Sequence, residues 1–423
     1  MLQKSQLSTA KITIGKDFFR RTTCRLCEGS DLALVLQLTP TPPVDAYIST
    51  KRHQDAYPLD LFLCCDCGHV QLLDVVNPKL LFGEYIYETS SSPGLVEHFR
   101  KYSEEVLKFV KLQAHSRIIE IGSNDGTLLR FFKDRGMQVL GIDPAREIAE
   151  RATQAGLPTI PAFFTSDVAH KIKREHGTAA IICANNVFAH ADDLGDMAEG
   201  VRELLAPDGV FVFEVSYLLD MIENIVFDFI YHEHLCHHSV KPLQKFLRKR
   251  GMELIDVVRI PTKGGSIRVF AQLMGGPHPI SPIVGKLIEH ETQIGLDRKE
   301  IFKSYSKKIE EIKNKIIALI EKLTSQGKKI SGYGASATGT VLIYHFKLGD
   351  ILNFIIDDNP FRQNRFSPGH HIPVLSSKAI YDQKPDYIFI LAWRFADMII
   401  ENHKAYLDQG GHFIIPLPEI REV

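Results

Sequence analysis

Apolar positions along the chain fall into two recurring patterns, and one stretch shows both. Ile118, Ile119 and Ile121 form a short run that stops at Gly122-Ser123-Asn124-Asp125-Gly126. Leu128, Leu129, Phe131 and Phe132 then recur at helical spacing, and Val139-Leu140-Gly141-Ile142 makes a second short run ending at Asp143. Strand, glycine turn, helix, strand and acid are half of a doubly wound nucleotide-binding layer. The same reading predicts a long helix over 94–112, a weak strand near 157–162, and clear strands over 179–184, 210–215 and 252–258. It adds a helix over 240–250 and a final strand within 263–271. Beyond the breaker cluster at 275–279, a charged amphipathic pattern over 286–326 predicts helix with one interruption. A second glycine-rich βα unit opens at Lys329, with strands over 351–356, 387–391 and 412–415. The expected fold class is α/β, in three parts: a small N-terminal module over 1–76, a Rossmann domain over 77–275 and a Rossmann-like domain over 276–423.

The N-terminal module has little apolar sequence, and 39–57 is rich in proline and polar residues. Such a module needs a staple. Cys24-Arg-Leu-Cys27 and Cys64-Cys-Asp-Cys67 supply one, because two CxxC pairs offer four thiolates to one tetrahedral zinc ion. A redox CxxC would not need the second pair. Cys65 and His69 are alternative fourth ligands that break the symmetric spacing. With all four positions filled by protein, the zinc would be structural. Seven cysteines and no secretion-type leader suit a reducing compartment, so the chain is expected in the cytoplasm. A formal net charge of -1 gives no reason to expect nucleic acid or an acidic membrane as partner. No apolar run approaches the ~20 residues of a membrane span. The chain is expected as a monomer, with a dimer left open.

The glycine turn departs from GxGxxG: only Gly122 and Gly126 remain, with Asn124 and Asp125 between them. Glu120 lies two residues before the turn, where a carboxylate would oppose a phosphate and pair with a cationic amino-acid head group. Asp143 sits where a carboxylate accepts both ribose hydroxyls. Together they favour S-adenosylmethionine over a nicotinamide cofactor. Asn185 and Asn186 end a later strand at the same crevice, with His190 and Glu214 at its rim. His190 serves catalysis, substrate binding or loop packing.

Tyr231-His232-Glu233-His234-Leu-Cys-His237-His238 is the densest chemistry. It does not fit HExxH. His234 and His238 could share a helical face around a metal. A base-and-orienter set fits better: a histidine to take a proton, a carboxylate to orient it, and a phenol to donate to an oxyanion. That set suits removal of a proton alpha to a carbonyl. Upstream, Tyr85 and Tyr87 alternate at strand spacing, as packing or as phenols on a lid. Lys263-Gly264-Gly265-Ser266 would allow close approach to a ligand. Arg268 reaches a phosphate or is a paired strand arginine. In the C-terminal part, Gly332 and Gly334 could cradle a diphosphate, with Asp357 placed for a ribose, so a nicotinamide cofactor stays open there. Asp358, Arg362 and Arg365 lie on loops of ligand-facing character, and Trp393 either stacks on a base or sugar or packs.

Taken together, CxxC…CxxC, EIGSNDG…GIDP, YHEH, KGGSIRV, GYGASATG and DDNPFRQNRFSPGHHIPV resemble the S-adenosylmethionine-dependent sugar C-methyltransferases, from Cys24 to Trp393. That family adds a branch methyl to nucleotide-linked keto-deoxysugars in antibiotic and cell-surface sugar pathways. The resemblance implies a class I methyltransferase-like central domain, a zinc module and a C-terminal Rossmann-like domain, with a TDP-linked sugar between them. It implies that His234 is the base on C3, beside the C4 ketone, with Tyr231, Glu233 and His190 around it. Tyr85 is the implied lid tyrosine, with Tyr87 as its neighbouring candidate. Tyr87, Lys263, Ser266, Arg268, Gly334, Asp358, Arg362, Arg365 and Trp393 are the expected substrate-binding set. O- or N-methylation on the same scaffold, a nicotinamide-dependent oxidoreductase and a non-catalytic sugar-nucleotide binder are the competing readings.

Overall fold

A computed structural model describes residues 11–13, 17–82 and 88–423. Its central sheet has seven strands. We label them β1 (Arg117–Ile121), β2 (Gln138–Ile142), β3 (Thr159–Ile160), β4 (Ala179–Asn185), β5 (Leu205–Ser216), β6 (Met252–Ile260) and β7 (Ser266–Leu273). The spatial order is β6-β7-β5-β4-β1-β2-β3. β7 runs antiparallel to both β5 and β6, and the remaining neighbours are parallel. Strand order reverses between β1 and β4, so their carboxyl ends open a crevice suited to a ligand.

Strand periodicity explains why both faces are covered. Ile118, Ile181, Cys183, Val210 and Val212 pack on one side, against Phe99, Tyr102 and Val106 of helix Pro93–Val110. Ile119, Ile121, Ile182, Phe211 and Phe213 face the other way, into the larger core. Successive side chains alternate across a strand, and near-continuous apolar runs are what a sheet buried on both faces requires. The strand expected over 210–215 begins earlier, at Leu205, with a register shift against β4 between Leu205 and Val210.

Leu32–Thr41, Tyr57–Cys64 and Val70–Leu72 form the N-terminal module's sheet, and the central part donates its fourth strand, Cys236–His237. The C-terminal sheet has six strands, parallel except for the last, Arg421–Glu422. Helices Pro282–Gln293 and Lys299–Ser325 precede it, with the expected interruption between them. Among the described residues no helix is long and apolar enough to cross a membrane.

Candidate functional site

The cysteine pairs meet. Sγ of Cys24, Cys27, Cys64 and Cys67 all lie within 4.8 Å of one another, a closed tetrahedral donor set for zinc. Amides of Leu26 and Gly29 donate to Sγ of Cys24 and Cys27, each at 3.4 Å. The Gly68 amide turns instead to the Cys64 carbonyl at 2.9 Å. Cys65 is exposed, outside the cluster.

At the crevice, Gly122 (φ 69°) and Gly126 (φ 75°) hold the left-handed turn. A Cβ on Gly122 would lie 2.3 Å from Val187 Cγ2. Glu120 is 3 % exposed, and its Oε2 finds no hydrogen-bond partner among the described residues. Burial, with Asp125 and Asp143 nearby, holds this carboxyl well above the usual carboxylate range. Nδ2 of Asn185 also lacks a partner among the described residues. An orphaned acid and an orphaned amide donor are what the ammonium and carboxylate of an amino-acid head group would satisfy. Asp143 accepts the amides of Asn124 and Ala145, both at 2.8 Å, one on each oxygen. Each oxygen keeps a second lone pair for a ribose hydroxyl. The residues present therefore fit S-adenosylmethionine. Asn186 sits at φ 57° with its amide on the Glu214 carbonyl at 2.8 Å.

Asn124 and Asp125 also have work inside the protein. Asn124 Oδ1 accepts the Thr89 amide at 2.9 Å, and Asp125 Oδ2 accepts the Ser90 amide at 2.9 Å. They pin the segment that follows Tyr85 and Tyr87, two residues that lie outside the described ones.

Beyond the sheet, the histidine-rich segment forms a turn and a short strand, not a helix, so His234 and His238 do not share a helical face. Among the described residues the four cysteines are the only group with metal-ligand geometry. His232 Nε2 faces the Tyr57 carbonyl at 3.2 Å, in the zinc module. His238 Nε2 faces the Phe188 carbonyl at 3.4 Å. His234 differs. Its Nδ1 lies 2.7 Å from the Phe229 carbonyl, which can only accept, so Nδ1 carries the hydrogen and Nε2 keeps its lone pair. Its ring centroid is 4.1 Å from that of Tyr231 and 5.1 Å from that of His190. Burial, reinforced by Lys263, lowers His234 to about 4, so it is neutral at pH 7. His190 is pushed down by burial, His234 and Lys263. Burial and Asp45 raise Glu233 to about 8, and burial lowers Lys263 to about 8 against Glu214 and Glu233. The structure thus brings together His190, Tyr231, Glu233, His234 and Lys263.

Other expected site residues are engaged within the protein. Arg268, 2 % exposed, donates to Glu214 at 2.7 Å, pairs with Glu105 and lies 4.3 Å over the Tyr102 ring, the arrangement of a paired strand arginine. Glu214 also holds His98 Nε2 at 2.7 Å. Ser266 Oγ donates to the Thr262 carbonyl at 3.1 Å. A Cβ on Gly265 would lie 2.1 Å from that of Asp220, so this glycine admits the protein's own side chain, not a ligand. Arg362 pairs with Asp45 at 2.6 Å, and Arg365 donates to the Tyr47 carbonyl at 3.1 Å. Both tie the C-terminal part to the zinc module. Asp358 accepts the Tyr333 hydroxyl at 2.7 Å, and Trp393 Nε1 donates to Asp228 at 2.9 Å. Gly334 (φ 106°) backs onto Ala392. Sequence reasoning missed the Phe229 carbonyl and Asp228. An acid set between aromatics in Phe227-Asp228-Phe229 was the available signal.

Comparison with known proteins yields matches along most of the chain. The family described as "Putative zinc binding domain" matches residues 24–82, "Methyltransferase domain" matches 96–257, and "C-methyltransferase C-terminal domain" matches 261–418. C-methyltransferase NovU of Streptomyces niveus is 33% identical over 404 residues, covering 95% of this chain and 96% of that protein. An uncharacterized methyltransferase of Exiguobacterium sibiricum is 31% identical over 130 residues, 30% of this chain and 57% of that one.

Proposed function

This chain belongs to the C-methyltransferase family, and from that premise we propose that it methylates C3 of a TDP-linked 4-keto-deoxysugar. It is an S-adenosylmethionine-dependent enzyme with a zinc-binding N-terminal domain. One observation carries the finer reading: Phe229 holds Nδ1–H of His234, leaving Nε2 as a neutral base among Tyr231, His190 and Lys263.

Glu120, Asp143 and Asn185 would hold the cofactor, which supplies an electrophilic methyl group at its sulfonium. His234 Nε2 removes the C3 proton, made acidic by the adjacent C4 ketone. As negative charge moves to O4, the Tyr231 hydroxyl and the Lys263 ammonium stabilise it electrostatically. With both groups shifted to about 8 by burial, Glu233 is uncharged at pH 7 and Lys263 carries the positive charge. His190 lines the same pocket. In this reading the parts are 1–76, 77–275 and 276–423, the enzyme is cytoplasmic, a monomer with a dimer left open, and the C-terminal loops after Gly334 take the nucleotide.

The test supplies methyl-labelled S-adenosylmethionine and TDP-4-keto-deoxysugars to the purified enzyme and locates the methyl by NMR. Transfer to carbon at C3 is expected, and transfer to oxygen or nitrogen would overturn the reading. His234→Asn should abolish C3 deuterium exchange in D2O with cofactor analogue bound.

A further inference from the structure

The turn before the histidine-rich segment is gripped by the C-terminal domain. Phe227 packs edge-on against His345 and Phe346, with centroids 5.3 and 5.8 Å away. Asp228 is fully buried and accepts three hydrogen bonds: from Trp393 Nε1 at 2.9 Å, and from the Arg394 fork at 3.0 and 2.6 Å. The Arg394 guanidinium also lies 4.5 Å over the Phe229 ring and 4.3 Å over that of Trp393. Phe229 in turn stacks on His234, with centroids 5.8 Å apart and planes 15° from parallel, and its carbonyl takes the Nδ1 hydrogen.

The chain of contacts therefore runs without a gap from one domain to the imidazole of another. A planar guanidinium fork on a carboxylate fixes angle as well as distance. We propose that Arg394 and Trp393 are positioning residues for the base: by clamping Asp228 they set the Phe229 carbonyl that fixes the tautomer and aim of His234. The C-terminal domain would then complete the catalytic site on the methyltransferase domain in addition to binding substrate. This inference rests on His234 being the base.

Removing Arg394 alone would leave a buried carboxylate unpaired and risk unfolding. The test therefore uses the neutral pair Asp228→Asn/Arg394→Gln, the milder Trp393→Phe, and His234→Asn as control. Steady-state methyl transfer to the 4-keto sugar is measured across pH. A base misplaced by ~1 Å costs up to about 100-fold in rate. The double variant should lose kcat by about 10- to 100-fold, with the sugar KM changed by less than about threefold. Trp393→Phe should move the same way by a smaller factor. His190, Tyr231 and Lys263 also face the imidazole, and His237 lies close behind it. All four are unchanged in these variants. Loosening the Phe229 contact removes a hydrogen bond that raises the His234 pKa but also admits water, and burial is the larger cause, so the acid limb of kcat should rise from near the wild-type His234 value of about 4 toward the ordinary ~6.5.

Unchanged kcat with an unmoved acid limb, or a rise confined to KM, would overturn the proposal and make the clamp a domain or substrate contact. Should the double variant not fold, Trp393→Phe with wild-type kcat and acid limb would overturn it equally. If His234→Asn keeps its kcat, the base assignment itself falls and the clamp proposal with it, a result distinct from a silent double variant.

Discussion

The two glycine turns of this chain share a backbone plan and differ in the residue that stands two places before the glycine. In the first, the Gly122 amide donates to the Ile142 carbonyl at 2.7 Å, and Asp143 accepts two loop amides at 2.8 Å. In the second, the Gly334 amide donates to the Ile356 carbonyl at 2.7 Å, and Asp357 accepts the amides of Ala335 and Asn359 at 2.7 and 2.8 Å. Two residues before the glycine, however, the first turn has Glu120 and the second has Gly332. A Cβ at Gly332 would lie 2.9 Å from Leu391 Cδ1, so an acid there would have to displace that leucine tip. The backbone geometry thus belongs to the βα unit, whereas ligand chemistry rests on the buried acid. In the proposed reading the first turn takes a cationic head group, and the second has no acid at that position.

The sharpest way to break this comparison is Glu120→Gln. Losing a charge-assisted contact in a dry site should weaken S-adenosylmethionine by about 10- to 100-fold, since each tenfold is ~1.4 kcal/mol. Calorimetry should show binding of TDP itself unchanged. Equal loss for both ligands would mean that the turns do not divide the labour.

Next come the glycines. Gly334→Ala meets backbone, with Ala392 N 2.9 Å and Cβ 2.5 Å from the new atom, whereas Gly122→Ala meets only the tip of Val187. Both force a positive φ on alanine, costing roughly 1–2 kcal/mol. Denaturant unfolding should rank Gly334→Ala as the more destabilising, by about 1 kcal/mol or more of added overpacking.

A smaller effect separates the acids. Asp143→Asn should cost S-adenosylmethionine about tenfold, one hydrogen bond to a charged group. Asp357→Asn should leave that affinity alone and lower stability by about 1 kcal/mol through its two loop amides.

The mildest test is pH. Burial raises the Glu120 carboxyl in the fold, so the folded state binds its proton more tightly than the unfolded chain does. That contribution to stability is present below the unfolded value of ~4.3 and is lost as pH rises through the folded value. Cofactor-free enzyme should therefore lose Tm as pH rises from about 4.3, and Glu120→Gln should reduce the slope. Some slope should persist, because Glu233, raised to about 8, acts with the same sign. Bound S-adenosylmethionine should remove most of the difference between the two proteins.

Residues near one another in sequence determined what sequence alone could reveal. Alternation of Ile118 and Ile119, or of Val210 and Phe211, specified strands buried on both faces. The two CxxC pairs specified a four-thiolate site. Glu120 and Asp143 were legible because strand and turn geometry place them relative to their own glycine turn, within one βα unit.

Only the tertiary structure decided which polar groups were already satisfied. In sequence Arg268 stands open between a phosphate ligand and a paired strand arginine, and Glu214, Glu105 and Tyr102 around it settle the second. In sequence Trp393 either stacks on a base or sugar or packs, and only the fold shows Asp228, 165 positions away, accepting its indole hydrogen. Within the histidine-rich segment His232, His234 and His238 each meet a backbone carbonyl, and His234 is the one with a held Nδ1 beside Tyr231 and His190. The physical reason is the same in each case. Periodicity and turn chemistry are local and survive in the bare sequence. A partner for a buried charge or a fixed tautomer comes from another element, and it exists only once the three parts of the chain have packed together.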